Sequence, residues 1–365
     1  MPAKRSVPPL SVAVIGTGLV GSELISQLLS LPSPSPFILV ALVSLTGSLF
    51  SPTGLSVTKD TWRSTLKASN AKPDLQALVE QLSPLDRVVV VDNTAAQAVA
   101  DLYPEFLRRG IHVATPNKKA FSGSQELYDQ ILQASKESGA RWLNESTVGA
   151  GLPVVQTLKD MVASGDKIKK IEGVFSGTMS YIFNEFSTAS PDGPSFSSVV
   201  RVAKEKGYTE PHPADDLNGA DVCRKLSILA RSIPTFQNAL PEGYKSVANR
   251  SLVPPALESV TNGAEFVDRL NEFDAEFDKL RSEARAEGSV LRFVGVVDVE
   301  QGVIKADLAK YSVTHPFATS LGGSDNIIMF HTERYSPRPL IVQGAGAGAA
   351  VTAMGVMGDL FKLVL

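Results

Sequence analysis

The sequence predicts an α/β chain of two parts: a parallel-sheet half closed by a glycine turn, and an α+β half with a mixed sheet. Three observations carry this. Ser11–Ile15 is a short apolar, β-branched run, and it passes at once into Gly16-Thr17-Gly18-Leu19-Val20-Gly21 and then a helical pattern. Apolar runs of strand length then recur at helix-length spacing up to about residue 143, as in parallel βα units. Beyond Pro153 the pattern changes, and three strands late in the chain follow each other at short spacing. At 365 residues the chain is too long for one small core.

Strand, GxGxxG and helix in that order predict a Rossmann-type dinucleotide-binding domain. The first glycine makes the tight turn, the second lets backbone approach a pyrophosphate, and the third lets helix and strand pack. Phe37–Ser44 reads as the second strand. Its end, Ser44-Leu45-Thr46-Gly47-Ser48, holds no acid to meet a ribose 2′-hydroxyl, so NADP is favoured and NAD tolerated. Lys59 and Arg63 are the nearest cations in sequence.

Arg87–Asp92 is a third strand ending in Asp92-Asn93-Thr94, polar residues that either meet a ligand or cap the next helix. Ile111–Ala114 is a fourth, followed by Thr115-Pro116-Asn117-Lys118-Lys119, which places a lysine pair at a strand end; His112 reads as a packed histidine. Ala140–Leu143 is a fifth, running into Glu145-Ser146-Thr147-Val148-Gly149-Ala150-Gly151-Leu152-Pro153. That turn is either a hinge or a set of oxygen ligands for a hard cation. Val154–Ser164 reads as a helix and Lys170–Phe175 as a strand. Ser176–Ser180 reads as a turn of small residues before a helix, and Ser190–Ser198 as a loop. Helices within Pro254–Glu287 precede strands at Val290–Val299, Lys305–Tyr311 and Ile327–Arg334. Gln343–Ala353 is a second glycine-alternating run, read as the chain returning to pack its last helix on the nucleotide domain.

Ala203–Leu226 crowds Glu210, Asp215, Asp216, Asp221 and Lys225 beside apolar sequence. Pro213 suits the first turn of a helix, and from there to Arg231 only Gly219 weakens one. On that helix Asp221 and Lys225 are i,i+4 neighbours, acid before base, beside a stripe of Val222, Leu226 and Leu229. A lysine and a carboxylate beside a buried face are arranged for proton transfer; the same spacing also describes an ordinary surface ion pair.

Composition excludes several classes. Hydrophobic content of 43% and charged content of 20% describe a soluble globular protein, and a net charge of −3 gives no sign of a nucleic-acid partner. The single cysteine, Cys223, rules out an intrachain disulfide and a cysteine-rich zinc site, and suits a reducing compartment. The basic N-terminus has no cleavage-site pattern, and no apolar stretch is long enough to span a bilayer, so the cytoplasm is the expected location and no membrane partner is expected.

GTGLVG at Gly16–Gly21, VDNT at Val91–Thr94, TPNKKAFS at Thr115–Ser122, NESTVGAGLP at Asn144–Pro153, EGVFSGTMSYIFNEFS at Glu172–Ser187, GYTEPHPADDLNGADVCRKL at Gly207–Leu226 and QGAGAGAAVTA at Gln343–Ala353 together resemble the homoserine dehydrogenases, most nearly the fungal monofunctional type. The resemblance covers nearly the whole chain. It implies NAD(P)-dependent interconversion of L-aspartate 4-semialdehyde and L-homoserine, on the route to threonine and methionine. It implies that residues 1–150, completed by 341–365, bind the dinucleotide, and that 151–340 bind substrate, carry catalysis and form a homodimer through their sheet. Lys225 would exchange a proton with the substrate oxygen, Asp221 would orient it, and Lys118 would lie beside nicotinamide and substrate. Glu210 and Asp216 would hold the substrate, with Thr178, Tyr208 and His315 as further contacts. Gly16, Thr17, Gly18, Leu19, Val20, Gly21, Arg63, Thr94, Lys118 and Gly348 would meet the cofactor. Glu145 with the carbonyls of Val148, Ala150 and Leu152 would match a sodium site. The second-strand end SLTGSLFS, the proline-rich Ser30–Phe37 and Gly322-Gly323 depart from the pattern. With no regulatory domain after Leu365, strong feedback by threonine is not expected.

Two other readings compete. An aspartate-semialdehyde dehydrogenase needs a nucleophilic cysteine, and Cys223 inside the charged helix is poorly placed for attack. A non-catalytic NADP-binding regulator would have no use for the Asp221–Lys225 pair.

Overall fold

A computed structural model describes residues 8–190 and 192–365; the basic N-terminal stretch and Pro191 of the predicted 190–198 loop lie outside these. The chain forms two compact units, Met1–Gly151 with Ala347–Leu365, and Leu152–Gly346.

In the first unit β1 (Leu10–Ile15), β2 (Phe37–Val43), β3 (Ser48–Phe50), β4 (Val88–Asp92), β5 (His112–Ala114) and β6 (Trp142–Leu143) form one sheet in the order β3-β2-β1-β4-β5-β6. All pairs are parallel except β2 with the short edge strand β3, where the chain turns back at once. Nearly every residue of β1, β2 and β4 is buried, which is why these strands read as unbroken apolar runs. Helix Leu19–Leu29 buries Gly21, Leu24, Ile25 and Leu28, one stripe at helical spacing. Helix Ala349–Phe361 packs against it and adds Ala353, Val356, Met357 and Leu360 to the same core, with Phe361 edge-on to Phe37 at 5.1 Å. The strand order reverses direction between β1 and β4, so their carboxyl ends, Ile15-Gly16 and Asp92-Asn93, frame the crevice where such sheets bind ligands.

In the second unit β7 (Ile168–Val174), β8 (Ala248–Asn249), β9 (Ser289–Asp298), β10 (Val303–Ser312), β11 (Asp325–Thr332) and β12 (Leu340–Ala345) run in the order β12-β11-β7-β9-β10-β8, antiparallel except for β8 on β10. The register fixes what each face carries. Val342, Ile328, Gly173 and Gly295 share the face on which Leu226 and Phe175 press against Gly295, under the helices. Ile341, Met329, Glu172, Val296 and Lys305 form a cross-strand row on the opposite face. There Val174, Val294, Val296, Ile327, Met329 and Phe317 make a small second core.

Three local expectations are corrected. Ser176–Ser180 is not a turn before a helix: Ser176 caps helix Gly177–Phe186 by accepting from the Met179 amide, so Thr178 stands in its first turn. The glycine-alternating run does not leave its strand at Val342, since β12 continues to Ala345. The acid–lysine stretch is two helices, Ala214–Leu217 and Ala220–Arg231. Gly219 lies between them with φ +75°, where a Cβ would come within 2.5 Å of Asn249 Oδ1 and 2.9 Å of Phe293. That left-handed turn ends one helix and starts the next.

Candidate active site

The second unit holds the acid–lysine stretch. Helix Ala220–Arg231 buries Val222, Leu226 and Leu229, and on it Lys225 is only 8% exposed. Its Nζ lies 2.6 Å from Asp221 Oδ2, one helical turn earlier, and donates to the Phe175 carbonyl at 2.7 Å. Asn326 Nδ2 donates to the same carbonyl at 2.9 Å, from a side chain with no exposure at all. The ammonium is therefore held on two sides in a largely dry setting, with the Asp221 side chain 48% exposed.

Asp216 is anchored one helix earlier. Its Oδ2 accepts from the Glu210 amide at 2.7 Å, and its Oδ1 lies 2.8 Å from Thr178 Oγ1. Thr178 is also 2.6 Å from the Tyr208 carbonyl; with one proton it serves one of these acceptors at a time. Burial raises the Asp216 carboxyl above its ordinary range, the Glu210 amide and Thr178 pull it down, and the charges of Glu210 and Asp221 raise it further. Three carboxylates that feel one another make a place for a cation such as a substrate ammonium. The exposed Tyr208 packs its ring on Tyr181 at 4.9 Å. His315 is placed differently: it caps helix Pro316–Thr319, its Nδ1 accepting from the Phe317 amide at 3.2 Å, and its ring packs on Tyr311 and Phe317. Cys223 is buried, and burial pushes its thiol up to about 11, so no thiolate stands there at neutral pH.

The first unit carries the glycine cradle. A Cβ on Gly21 would fall 1.9 Å from the Gly16 carbonyl and one on Gly16 2.8 Å from Thr94 Cγ2, whereas Gly18 has nothing within 4 Å. The helix behind it has no side-chain cap and no acid in its first turn, so its leading amides face the space above Gly18. Beside it, Asn93 Oδ1 and Nδ2 are shielded from water with no partner among the described residues. Cradle, amides and amide side chain fit a dinucleotide pyrophosphate. Leu19 is 84% exposed at the turn.

Sequence reading missed what holds the neighbouring turns. Asp92, fully buried, accepts from the Thr94 amide at 2.8 Å, Tyr103 Oη at 2.6 Å and Asn117 Nδ2 at 2.9 Å, while Thr115 Oγ1 donates to its carbonyl at 2.7 Å. Burial raises the Asp92 carboxyl, opposed by these hydrogen bonds, and burial beside Asp92 holds Tyr103 well above the usual phenol range. Asn117 Oδ1 in turn accepts from the Lys119 amide, which shapes the turn bearing Lys118. Arg63 stacks on Trp62 at 4.5 Å, at the start of the helix whose Leu66 carbonyl lies against Gly47. Lys72, not anticipated, reaches the same loop through its carbonyl, which accepts from Ser48 Oγ at 3.3 Å. Gly348 opens helix Ala349–Phe361, with Val351 as its near neighbour.

Glu145 is 7% exposed on a short 3-10 turn, and Val148 and Ala150 follow it buried, Ala150 with φ +54°. Among the described residues neither Val148 nor Ala150 has a hydrogen-bond donor on its carbonyl. A buried carboxylate with two buried, unclaimed carbonyls fits a hard monovalent cation. No group of three or more His, Cys, Asp or Glu converges among the described residues. Lys362 Nζ lies 3.4 Å from Glu145 Oε2 and 2.9 Å from Asp359 Oδ1, and Asp359 Oδ2 accepts from the Glu145 amide at 2.9 Å. No helix of the described residues is long and apolar enough to cross a membrane.

Comparison with known proteins identifies the family. The homoserine dehydrogenase family model matches residues 153–361, and the homoserine dehydrogenase NAD-binding domain model matches 16–145. The chain is 47% identical to a homoserine dehydrogenase of Schizosaccharomyces pombe, over 97% of this chain and 95% of that one. A crystal structure of a Candida auris protein of unknown function superposes with a TM-score of 0.92 at 44% identity, covering 98% and 99% of the two chains. A hyperthermophilic archaeal homoserine dehydrogenase in complex with NADPH shares the fold at 22% identity, with a TM-score of 0.70 over 98% of each chain.

Proposed function

The chain belongs to the homoserine dehydrogenase family, NAD(P)-dependent oxidoreductases acting on a CH–OH group, and from that premise we propose how its own residues divide the work. The reaction is the reversible reduction of L-aspartate 4-semialdehyde to L-homoserine, a step toward threonine and methionine. When bound, the nicotinamide supplies or accepts the hydride. Lys225 gives its proton to the carbonyl oxygen as negative charge develops there and takes it back in the oxidative direction. Asp221 and the Phe175 carbonyl aim and hold the ammonium. Glu210 and Asp216 take the substrate's ammonium group, with Thr178 and Tyr208 fixing Asp216 and the approach to it. His315 is a further substrate contact, its ring steadied by the cap that Nδ1 makes with the Phe317 amide. The observation that carries the proposal is the buried Lys225 Nζ, fixed between a carboxylate and a carbonyl.

In the first unit the Gly16–Gly21 turn and the Leu19–Leu29 helix amides hold the pyrophosphate, Thr94 and Lys118 stand toward the nicotinamide end, and Gly348 closes the unit. NADP is favoured over NAD because no acid stands among Ser44–Ser48 to repel a 2′-phosphate, and Arg63 is carried on the helix whose Leu66 carbonyl lies against Gly47. Glu145 with the carbonyls of Val148 and Ala150 holds a sodium ion; the Leu152 carbonyl already accepts from the Val154 amide at 2.9 Å. A homodimer forms through the second unit's sheet, at whose edge strand β12 Ile341 is 42% exposed; the cytosol is the setting. Sedimentation giving an active monomer would refute the dimer.

The test is absorbance-monitored oxidation of L-homoserine with NADP⁺ and NAD⁺ in parallel. Lys225→Met should lower kcat by roughly 10²–10⁴-fold, the usual weight of a positioned acid–base group, with cofactor affinity unchanged. A variant that turns over like the parent removes Lys225 from the mechanism.

A further inference from the structure

Glu145 and Asp359, both with buried carboxylates, are joined in the first unit by the hydrogen bond from the Glu145 amide to Asp359 Oδ2, and one half-buried ammonium, Lys362, touches both carboxylates. None of the three is needed for the hydride or proton step proposed above. Glu145 heads the loop whose Val148 and Ala150 carbonyls have no donor among the described residues. Asp359 and Lys362 come from the end of the C-terminal helix, more than two hundred residues away in sequence, so the fold and not local spacing assembles the trio.

We propose that Lys362 is a built-in counter-cation that tunes the Glu145 site to a monovalent ion. This rests on the cation reading of that site. With all three groups ionised the trio carries one net negative charge, which a singly charged ion neutralises. A divalent ion would leave an uncompensated positive charge in a buried place, and it would also compete with an ammonium already 3.4 Å from Glu145 Oε2. Without the lysine the same carboxylates present two negative charges, and the balance favours a divalent ion. Asp359 takes part indirectly: it accepts from the Glu145 amide and from Lys362, so it fixes both the loop and the ammonium. The selectivity is thus set one step outside the ligands, by charge count rather than by ligand type.

The experiment follows thermal unfolding of the full-length protein, freed of metals, in choline chloride at constant ionic strength, while NaCl or CaCl₂ replaces the choline salt. The parent should gain stability with Na⁺ and respond to Ca²⁺ only at tenfold or higher concentration. Lys362→Met should reverse the order, lowering the Ca²⁺ midpoint at least tenfold. Lys362→Arg, which keeps the charge, should rank the ions as the parent does. If Lys362→Met does not fold, Asp359→Asn decides instead: with the trio neutral, the Na⁺ midpoint should rise at least tenfold. An unchanged ranking and unchanged midpoints in Lys362→Met, or an unchanged Na⁺ midpoint in Asp359→Asn, overturn the role of Lys362. A parent that matches Glu145→Gln and responds to neither ion overturns the cation reading itself, and the proposal with it.

Discussion

Replacing Tyr103 by Phe removes a single oxygen, yet the structure makes that oxygen costly to lose. Tyr103 Oη donates to Asp92 Oδ2 at 2.6 Å, and neither residue has any solvent exposure. The carboxyl keeps the Thr94 amide and Asn117 Nδ2 but loses its shortest partner, and no water replaces it. A hydrogen bond to a charged group is worth about 1.5–3 kcal/mol net. For a unit of this size that is a drop of roughly 4–8 °C in its melting midpoint, taking about 2 kcal/mol at about 2–4 °C each. The loss also depends on pH. Burial places Asp92 above the ordinary carboxylate range, so as pH rises through that interval the unfolded chain loses its proton first and stability falls. The Tyr103 hydroxyl is one of the groups that hold Asp92 down, and without it the carboxyl rises further and the interval widens. Thermal scans at pH 7 and near pH 4.5, without cofactor, should therefore show the larger drop at pH 7. A drop under 1 °C, or equal drops at the two pH values, would show that the network does not hold the β4 end as argued.

Three further outcomes follow from the same reasoning. Cys223→Ala should keep activity within about twofold and iodoacetamide should leave the parent active, since a buried thiol raised to about 11 is no nucleophile; loss of turnover without loss of fold would revive a covalent route. Gly219→Ala should cost about 2–5 kcal/mol, combining a left-handed Cβ with overpacking against Asn249 and Phe293, and should raise KM for homoserine; a variant within about 1 kcal/mol of the parent would refute the strain. Burial would raise Glu172, but hydrogen bonds from His331 and Lys170 hold it at about 2, so the native state binds fewer protons than the unfolded chain between about 4.5 and about 2. Its contribution is complete above that window and lost as pH falls through it, and Glu172→Gln should flatten the acid limb of a stability–pH curve; an unchanged limb would assign acid unfolding elsewhere.

The parallel sheet was legible because its strands are buried on both faces and so spell themselves as apolar runs, and because GxGxxG needs its glycines for contacts as tight as the 1.9 Å that a Cβ on Gly21 would impose. Lys225 with Asp221 was legible because four-residue spacing on one helix survives folding unchanged. What stayed hidden came from distant segments. Asn326 reaches the Phe175 carbonyl across 151 residues, and Asp359 reaches the Glu145 amide across 214, distances over which no local pattern carries information. The capping role of His315, whose Nδ1 accepts from the amide of the helix it starts, was not read from the sequence either.

The break at Gly219 shows why the acid–lysine stretch is not one helix. Asp216 and Lys225 are nine residues apart, and at about 100° per residue a continuous helix would put them about 180° apart, on opposite faces. One carboxylate would then be buried with the lysine or exposed without it, never both beside a single small substrate. The left-handed residue ends the first helix at Leu217 and starts the second at Ala220, which leaves the direction of Asp216 independent of Lys225. Asp216 is then fixed by partners outside its own helix, Thr178 and the Glu210 amide, while Lys225 is fixed by Asp221 within its helix and by Phe175 outside it. That Asp221 still raises the Asp216 carboxyl shows the two helices keep their acids within electrostatic reach. Under the proposed roles, this division serves a substrate carrying an ammonium at one end and a reacting oxygen at the other: carboxylates for the first and an ammonium for the second, each held by its own scaffold.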